Sequence, residues 1–88
     1  MLINTYVEKI KNDFKSQSSI ARNIGIGHSA FSLMLNGKGT PSPETVLKLA
    51  ELAGEPKEKA LLDFFAERYA ERPVVAETLQ NIKKNLTF

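Results

Sequence analysis

The sequence contains no cysteine and a single histidine, and these two shortages remove whole classes of function before any pattern is read. Without thiols there is no disulfide scaffold, no zinc knuckle and no thiol nucleophile, and one imidazole cannot assemble the nitrogen-rich ligand sets of most transition-metal sites. A metal site and a metalloenzyme are therefore not expected. Long apolar runs are also missing: none approaches the roughly 20 residues that cross a bilayer. Met1-Leu2-Ile3 gives way at once to Asn4-Thr5, not to a basic stretch and an apolar signal core. The expectation is a cytosolic chain with no membrane partner. A large net charge is absent too, and a formal +2 is too small to imply a polyanion partner by itself. With 88 residues, 42% of them apolar, the chain can enclose one hydrophobic core and so forms one domain.

Where the charges fall is more informative than their sum. Residues 1–53 carry Lys9, Lys11, Lys15, Arg22, Lys38 and Lys48 against Glu8, Asp13, Glu44 and Glu51, whereas residues 54–88 balance. Between Asp13 and Glu44 there is no acidic residue at all. A surface built to meet phosphate would be kept free of acids in this way. An ordinary buried segment would also be acid-poor, since the stretch is apolar-rich.

Apolar residues recur at helical spacing almost throughout, and no segment alternates at period 2 for long, so the sequence predicts an all-α fold. Helix 1 carries a stripe of Ile3, Val7, Ile10 and Phe14, with Asn4 or Thr5 as its cap. Helix 2 begins after Ser16, turns Ile20, Ala21 and Ile24 inward and ends at Gly25. Helix 3 runs from about Gly27 or His28 to Leu35 with Phe31, Met34 and Leu35 inward, and Asn36-Gly37-Lys38-Gly39 stops it. Ser42-Pro43-Glu44 is a helix start with a capping hydroxyl, a proline at the first helical position and an acid favoured by the helix dipole. Helix 4 buries Val46, Leu47, Leu49, Ala50 and one of Leu52 or Ala53, and stops at Gly54. Helix 5 restarts at Glu55-Pro56, presents Leu61, Leu62, Phe65 and Tyr69 on one face and ends at Arg72-Pro73. Helix 6 follows with a stripe of Val75, Leu79, Ile82 and Leu86.

Residues 17–36 meet the demands of a helix-turn-helix one position at a time. Two short helices that cross steeply need a small residue where their backbones meet, which Ala21 supplies. The turn needs a residue tolerant of positive φ, and Gly25 stands four positions later. Ile20, Ile24, Ile26, Phe31 and Met34 must face the core. A generic amphipathic helix pair would satisfy several of these requirements as well.

From Gln17 to about Ala53 the chain resembles the Cro/C1-type, lambda-repressor-like (XRE) helix-turn-helix family. The likeness runs without gaps through Gln17, Ile20-Ala21, Ile24-Gly25-Ile26, Ser29 to Ser32, Asn36-Gly37-Lys38, Pro41-Ser42-Pro43-Glu44-Thr45 and Leu49-Ala50. The resemblance implies a bundle of about five helices, to which the apolar stripe from Val75 to Leu86 adds a C-terminal helix. The one domain is then expected to have a DNA-binding core at 1–54, with a recognition helix at about 28–35, and a C-terminal helical pair at 55–88 that completes the core and dimerises. The resemblance fades after Gly54, and residues 73–88 match nothing in the common five-helix core.

The resemblance also implies that helix 3 enters the major groove of double-stranded DNA, with the start of helix 2 and the following loop on phosphates. Gln17 then grips a phosphate and braces helix 3. His28, Ser29 and Ser32 face base edges or phosphate, and Asn36, Lys38 and Thr40 reach the backbone. Arg22 is left between phosphate contact and plain solvation, and Leu33 between a thymine methyl and a packing role. Three departures from the family pattern bear on specificity. Gly27 replaces the usual Ser or Thr cap, Leu33 stands where a polar residue is common, and Leu35 replaces a frequent Glu. Helix 3 has neither Arg nor Gln for bidentate base pairing, so direct readout is expected to be modest and to lean on DNA shape and dimerisation.

Helices 5 and 6 carry more apolar residues, Phe88 among them, than one side of a small domain needs. Phe64, Phe65, Tyr69, Leu79 and Ile82 are the expected homodimer surface. The reading that follows is a sequence-specific repressor of phage or prophage type, cytoplasmic and nucleoid-associated when bound. It takes no cofactor and no small-molecule ligand, and is controlled by its abundance or by a protein antagonist. The alternative is an antitoxin-like interaction module with secondary DNA binding. An enzyme is not expected, because no paired carboxylates or nucleophile–base set can be assembled. Gly25-Ile26-Gly27 also lacks the strand and third glycine of a dinucleotide site.

Overall fold

The structure, a computed structural model, describes residues 2–86. It consists of α1 (Leu2–Ile10), a 3-10 turn (Lys11–Asp13), α2 (Gln17–Ile24), α3 (His28–Leu35), α4 (Pro43–Leu52), α5 (Lys57–Arg68) and α6 (Pro73–Lys84). No strand occurs among the described residues, so the protein is all-α as the apolar spacing predicts. Phe88 lies outside the described residues.

The helix ends follow local chemistry. Ser16 and Ser42 cap α2 and α4, their hydroxyls accepting from the backbone N–H groups of Ser19 at 3.3 Å and Thr45 at 3.2 Å. Such caps satisfy donors that have no partner within the helix. At the other ends Gly25, Gly37 and Gly54 adopt φ values of 80°, 76° and 75°. Each left-handed glycine closes a paired set of turn bonds, for example Gly25 N–H to Arg22 C=O and Ile26 N–H to Ala21 C=O.

The core gathers one face of each of the first five helices: Ile3, Tyr6 and Ile10 from α1, Ile20, Ala21 and Ile24 from α2, Phe31 and Met34 from α3. Val46, Leu49 and Ala50 come from α4, and Ala60 and Phe64 from α5. Ala60 is fully buried, and α5 packs on α4.

Several expectations are corrected by this packing. The first helix begins at Leu2, so Asn4 and Thr5 lie within it and neither is its cap. Its innermost side chains are Ile3, Tyr6 and Ile10, while Val7 is half-buried and Phe14 follows the 3-10 turn in extended backbone. Packing of α1 on both α4 and α5 takes Tyr6 inward and leaves Val7 at the flank. In α4, Leu47 and Ala53 are half-buried, Leu52 is exposed, and Thr45 is buried with its hydroxyl 3.1 Å from that of Ser42. In α5 the inner face is Ala60 and Phe64, whereas Leu61, Leu62, Phe65 and Tyr69 are half-buried. The helix lies between the core on one side and α6 on the other, so its apolar residues divide between two flanks. It also ends at Arg68, not Arg72, because the chain must turn back there, with Arg72 N–H donating to Tyr69 C=O at 2.9 Å.

Helix α6 packs on α5 and buries no residue completely. An alternating set of charges fastens it. Lys9 of α1 pairs with Glu55, Lys59 stands between Glu55 (3.9 Å) and Asp63 (3.3 Å), and Lys83 of α6 reaches Asp63 at 2.7 Å. The hydrogen bond from Lys9 holds the Glu55 carboxyl below the usual carboxylate range, against the opposing pull of burial.

Beneath these charges the Tyr6 hydroxyl is buried with no hydrogen-bond partner among the described residues. Burial, then the nearby Asp63 and Glu55 carboxylates, push its pKa up from 10.0 to about 12. A raised pKa means that the unfolded chain releases this proton first. The neutral tyrosine thus contributes its full stability below pH 10.0 and loses it as pH rises towards about 12. Tyr6→Phe is expected to match or exceed the parent's stability at neutral pH, by up to about 1 kcal/mol. It should also lose less stability than the parent across the alkaline range, as urea denaturation at neutral pH and midway between the two pKa values will measure.

Candidate nucleic-acid interface

Helices α2 and α3, joined by the turn at Gly25, pack on each other as one unit. Each is eight residues long, too short to persist alone, and each is held by the side chains it buries. Ala21, 1% exposed, lies on the buried face of α2, and Phe31, 0% exposed, anchors α3 in the core. Met34 completes the inner face. With Phe31 and Met34 turned inward, the helical period places Ser29 and Leu33 on the opposite side, and both are exposed; His28 and Ala30, in the first turn, are exposed at the open end of the helix.

The predicted contact residues divide by position. His28 and Ser29 occupy the first turn of α3, Ser32 is half-buried farther along, and Leu33 is 49% exposed. Leu33 therefore faces solvent and does not pack into the core. Asn36, Lys38 and Thr40 are exposed in the loop that follows. Gln17 is the first residue of α2 and half-buried, and Arg22 is exposed on the same helix. They are spread over the start and outer positions of α2, the exposed positions of α3 and the loop before α4. Ala30 is exposed in the first turn of α3 as well, and a methyl group there carries no polar signal that the sequence could show.

Gly27 precedes α3 without a side-chain cap, as its lack of a side chain requires. At the other end α3 is closed completely. The carbonyls of Ser32, Leu33 and Met34 accept from the N–H groups of Asn36, Lys38 and Gly37 at 3.1, 2.9 and 3.1 Å. The Leu35 carbonyl accepts from the Asn4 side-chain amide at 2.9 Å. At the end of α2, Lys48 of α4 donates to the Ile24 carbonyl at 3.1 Å. Neither Asn4 nor Lys48 is legible as a partner of these helices in the sequence, because each bond joins residues far apart in the chain.

The electrostatics of the surface follow from composition. Lys15, Arg22, Lys38 and His28 are exposed within an acid-free stretch, and the first acid on its C-terminal side, Glu44, lies in the first turn of α4. No group of three or more His, Cys, Asp or Glu side chains able to hold a metal occurs among the described residues. No described helix is long and apolar enough to cross a membrane.

A family model described as Helix-turn-helix matches residues 15–59, just over half of the chain. The chain belongs to this family, the Cro/C1-type group of DNA-binding regulator domains, which is not an enzyme family. The match spans α2, α3 and α4 and enters the first turn of α5, leaving most of α5 and all of α6 outside it. No curated protein and no solved structure matches the chain. Double-stranded DNA binding in transcription regulation is thus the kind of function the chain carries.

The turn between α2 and α3 can be tested directly. A Cβ added at Gly25 would meet only the Lys48 ammonium, at 3.8 Å, so there is room for it. The cost of Gly25→Ala is consequently one of backbone conformation at φ +80°. That cost is roughly 1 kcal/mol, and thermal denaturation should show a loss of about 4–8 °C.

Proposed function

We propose that the protein is a sequence-specific transcriptional repressor that lays α3 in the major groove of an operator and binds as a homodimer. The observation that carries this reading is the outer side of α3 and its loop: His28, Ser29, Leu33, Asn36, Lys38 and Thr40 are exposed together within a stretch that has no acid. An eight-residue helix is about 12 Å long, and the major groove is about 12 Å wide. His28 donates to guanine N7 or O6, Ser29 and Ser32 contact bases or phosphate, and Leu33 meets a thymine methyl. Gln17, Asn36, Lys38 and Thr40 hold the backbone, joined by Arg22. Without Arg or Gln on α3 the direct readout is modest, and DNA shape supplies part of the specificity. Repression follows from occupying a site that overlaps a promoter, and the protein works in the cytoplasm on the nucleoid.

A dimer doubles a weak contact: one module buries roughly 600–1,000 Å² on DNA, and a two-fold pair spans half-sites about 34 Å apart. The support for it is the C-terminal pair. On α6, Val75 is 37% exposed and Ile82 44%, with Leu86 beyond the helix also 44% exposed. Leu79 and the α5 residues Phe65 and Tyr69 are half-buried beside them. Phe64 is removed from this surface, because it is only 6% exposed and packs in the chain's own core. Since α6 lies outside the family match, the same surface also suits an antitoxin-like role or a protein antagonist.

Two measurements test the proposal. Binding to a DNA fragment selected by the protein from a random pool should weaken steeply as salt rises. Lys38→Ala should lower the slope of log K against log salt by about 1, while His28→Ala changes the preferred sequence at one position, at roughly 1–3 kcal/mol. Salt-independent binding, or no enrichment at all, would sink the regulator reading in favour of an interaction module. Sedimentation equilibrium should find a dimer that Ile82→Asp converts to a monomer without loss of helicity. A strict monomer at high micromolar concentration refutes the dimer.

A further inference from the structure

The two helices of the DNA-binding unit end on carbonyl groups that are satisfied from outside the unit. An α-helix leaves its last four carbonyls without partners inside the helix. In α3 the following turn supplies three of them, and the fourth, at Leu35, lies beyond its reach and is taken by Asn4 of α1 at 2.9 Å. In α2 the turn at Gly25 occupies the Ala21 and Arg22 carbonyls, and the terminal Ile24 carbonyl is taken by Lys48 of α4 at 3.1 Å. Both bonds are partly buried and join residues 31 and 24 positions apart.

Their importance comes from how little else grips α3. Among the helices it packs extensively on α2 alone, with Phe31 and Met34 as its buried side chains and Leu35 half-buried against the core. Anchors gathered in the middle and last turn of a short helix resist its withdrawal but constrain its tilt poorly. The Lys48 bond fixes the turn from which α3 departs, and the Asn4 bond fixes the place where α3 finishes. The lysine also puts a positive charge at a helix C-terminus, where the dipole favours it.

We propose that Asn4 and Lys48 are positioning residues for base recognition, a role that rests on the DNA-reading function proposed above. They set the direction of α3 from α1 and α4 without touching DNA. Hydrogen bonds to base edges tolerate only a few tenths of an ångström in length, whereas flexible lysines on phosphates follow a displaced backbone. Releasing either tie therefore weakens recognition of the correct sequence much more than binding to any sequence.

The test compares the full-length parent, Asn4→Ala, Asn4→Gln and Lys48→Met on two duplexes of equal length: one enriched by the parent from a random pool, and a scrambled one. Lys48→Met keeps the aliphatic stem and removes the ammonium. All measurements are made well below each variant's melting temperature, with helicity checked. The expected result is a drop of roughly five- to tenfold in the ratio of selected to scrambled affinity for Asn4→Ala and Lys48→Met. Asn4→Gln, which keeps the amide on a longer stem, recovers part of it. The salt slope for Lys48→Met should match the parent's. A slope reduced by about 1, with both duplexes weakened equally, makes Lys48 a phosphate contact and overturns its positioning role. A lowered melting temperature with an unchanged ratio makes Asn4 a stabiliser of the fold only and overturns its role. A parent that enriches no sequence overturns the regulator reading and this one together, whereas unchanged ratios on a fragment the parent does select overturn this one alone.

Discussion

Phe31 makes the contact on which the rest of the DNA-binding unit depends. It is fully buried on a helix of eight residues, a length at which nucleation is too costly for the helix to form by itself. Burial of such a ring contributes roughly 1.5–3 kcal/mol, a large share of what a short helix needs to stay docked. The side chain also fixes the rotation of α3 about its axis. Once Phe31 and Met34 face the core, the helical period leaves Ser29 and Leu33 on the outside whatever their polarity. The exposure of Leu33 is a consequence of that rotation, not a preference of leucine.

The same constraint explains why the ends of the helices are so closely controlled. Left-handed glycines close α2, α3 and α4, and serine hydroxyls open α2 and α4. Two longer side chains, Asn4 and Lys48, complete the carbonyls that these local devices cannot reach. Short helices with closed ends can be aimed, and an aimed helix with an acid-free outer side is what a double-stranded DNA surface requires. Membership of the Cro/C1-type family is consistent with that arrangement down to the turn and the loop.

The C-terminal pair follows a different logic. Helix α5 is part of the core through Ala60 and Phe64, yet it also supports α6 through half-buried residues and the Lys83–Asp63 pair. At the corner between them, Phe65 and Tyr69 stack with ring centres 6.2 Å apart, and the Arg72 guanidinium lies 5.7 Å from the centre of the Tyr69 ring. Partly exposed ion pairs of this kind contribute little to stability. They do select one position for a helix that has no deeply buried residue, and they leave its apolar flank open.

How much of this could be read beforehand depends on the range of the interaction. The all-α class, the caps at Ser16 and Ser42, the stops at Gly25, Gly37 and Gly54, and the inward set of the helix-turn-helix depend on neighbours within a turn or two. They were legible for that reason. So was the exposure of Ser29 and Leu33 on α3 and of Asn36, Lys38 and Thr40 in its loop. The burial of Tyr6 in place of Val7, the division of α5 into two flanks, its end at Arg68, and the capture of the Leu35 carbonyl by Asn4 were not legible. Each depends on the angle and distance between helices far apart in the chain, and the same spacing of apolar residues is compatible with several such angles. Local hydrogen bonding and the helical period determined what the elements are and which way the recognition helix faces. Only the packing of α1, α4 and α5 around them decided which side chains fill the core, which charges meet, and what holds that helix in place.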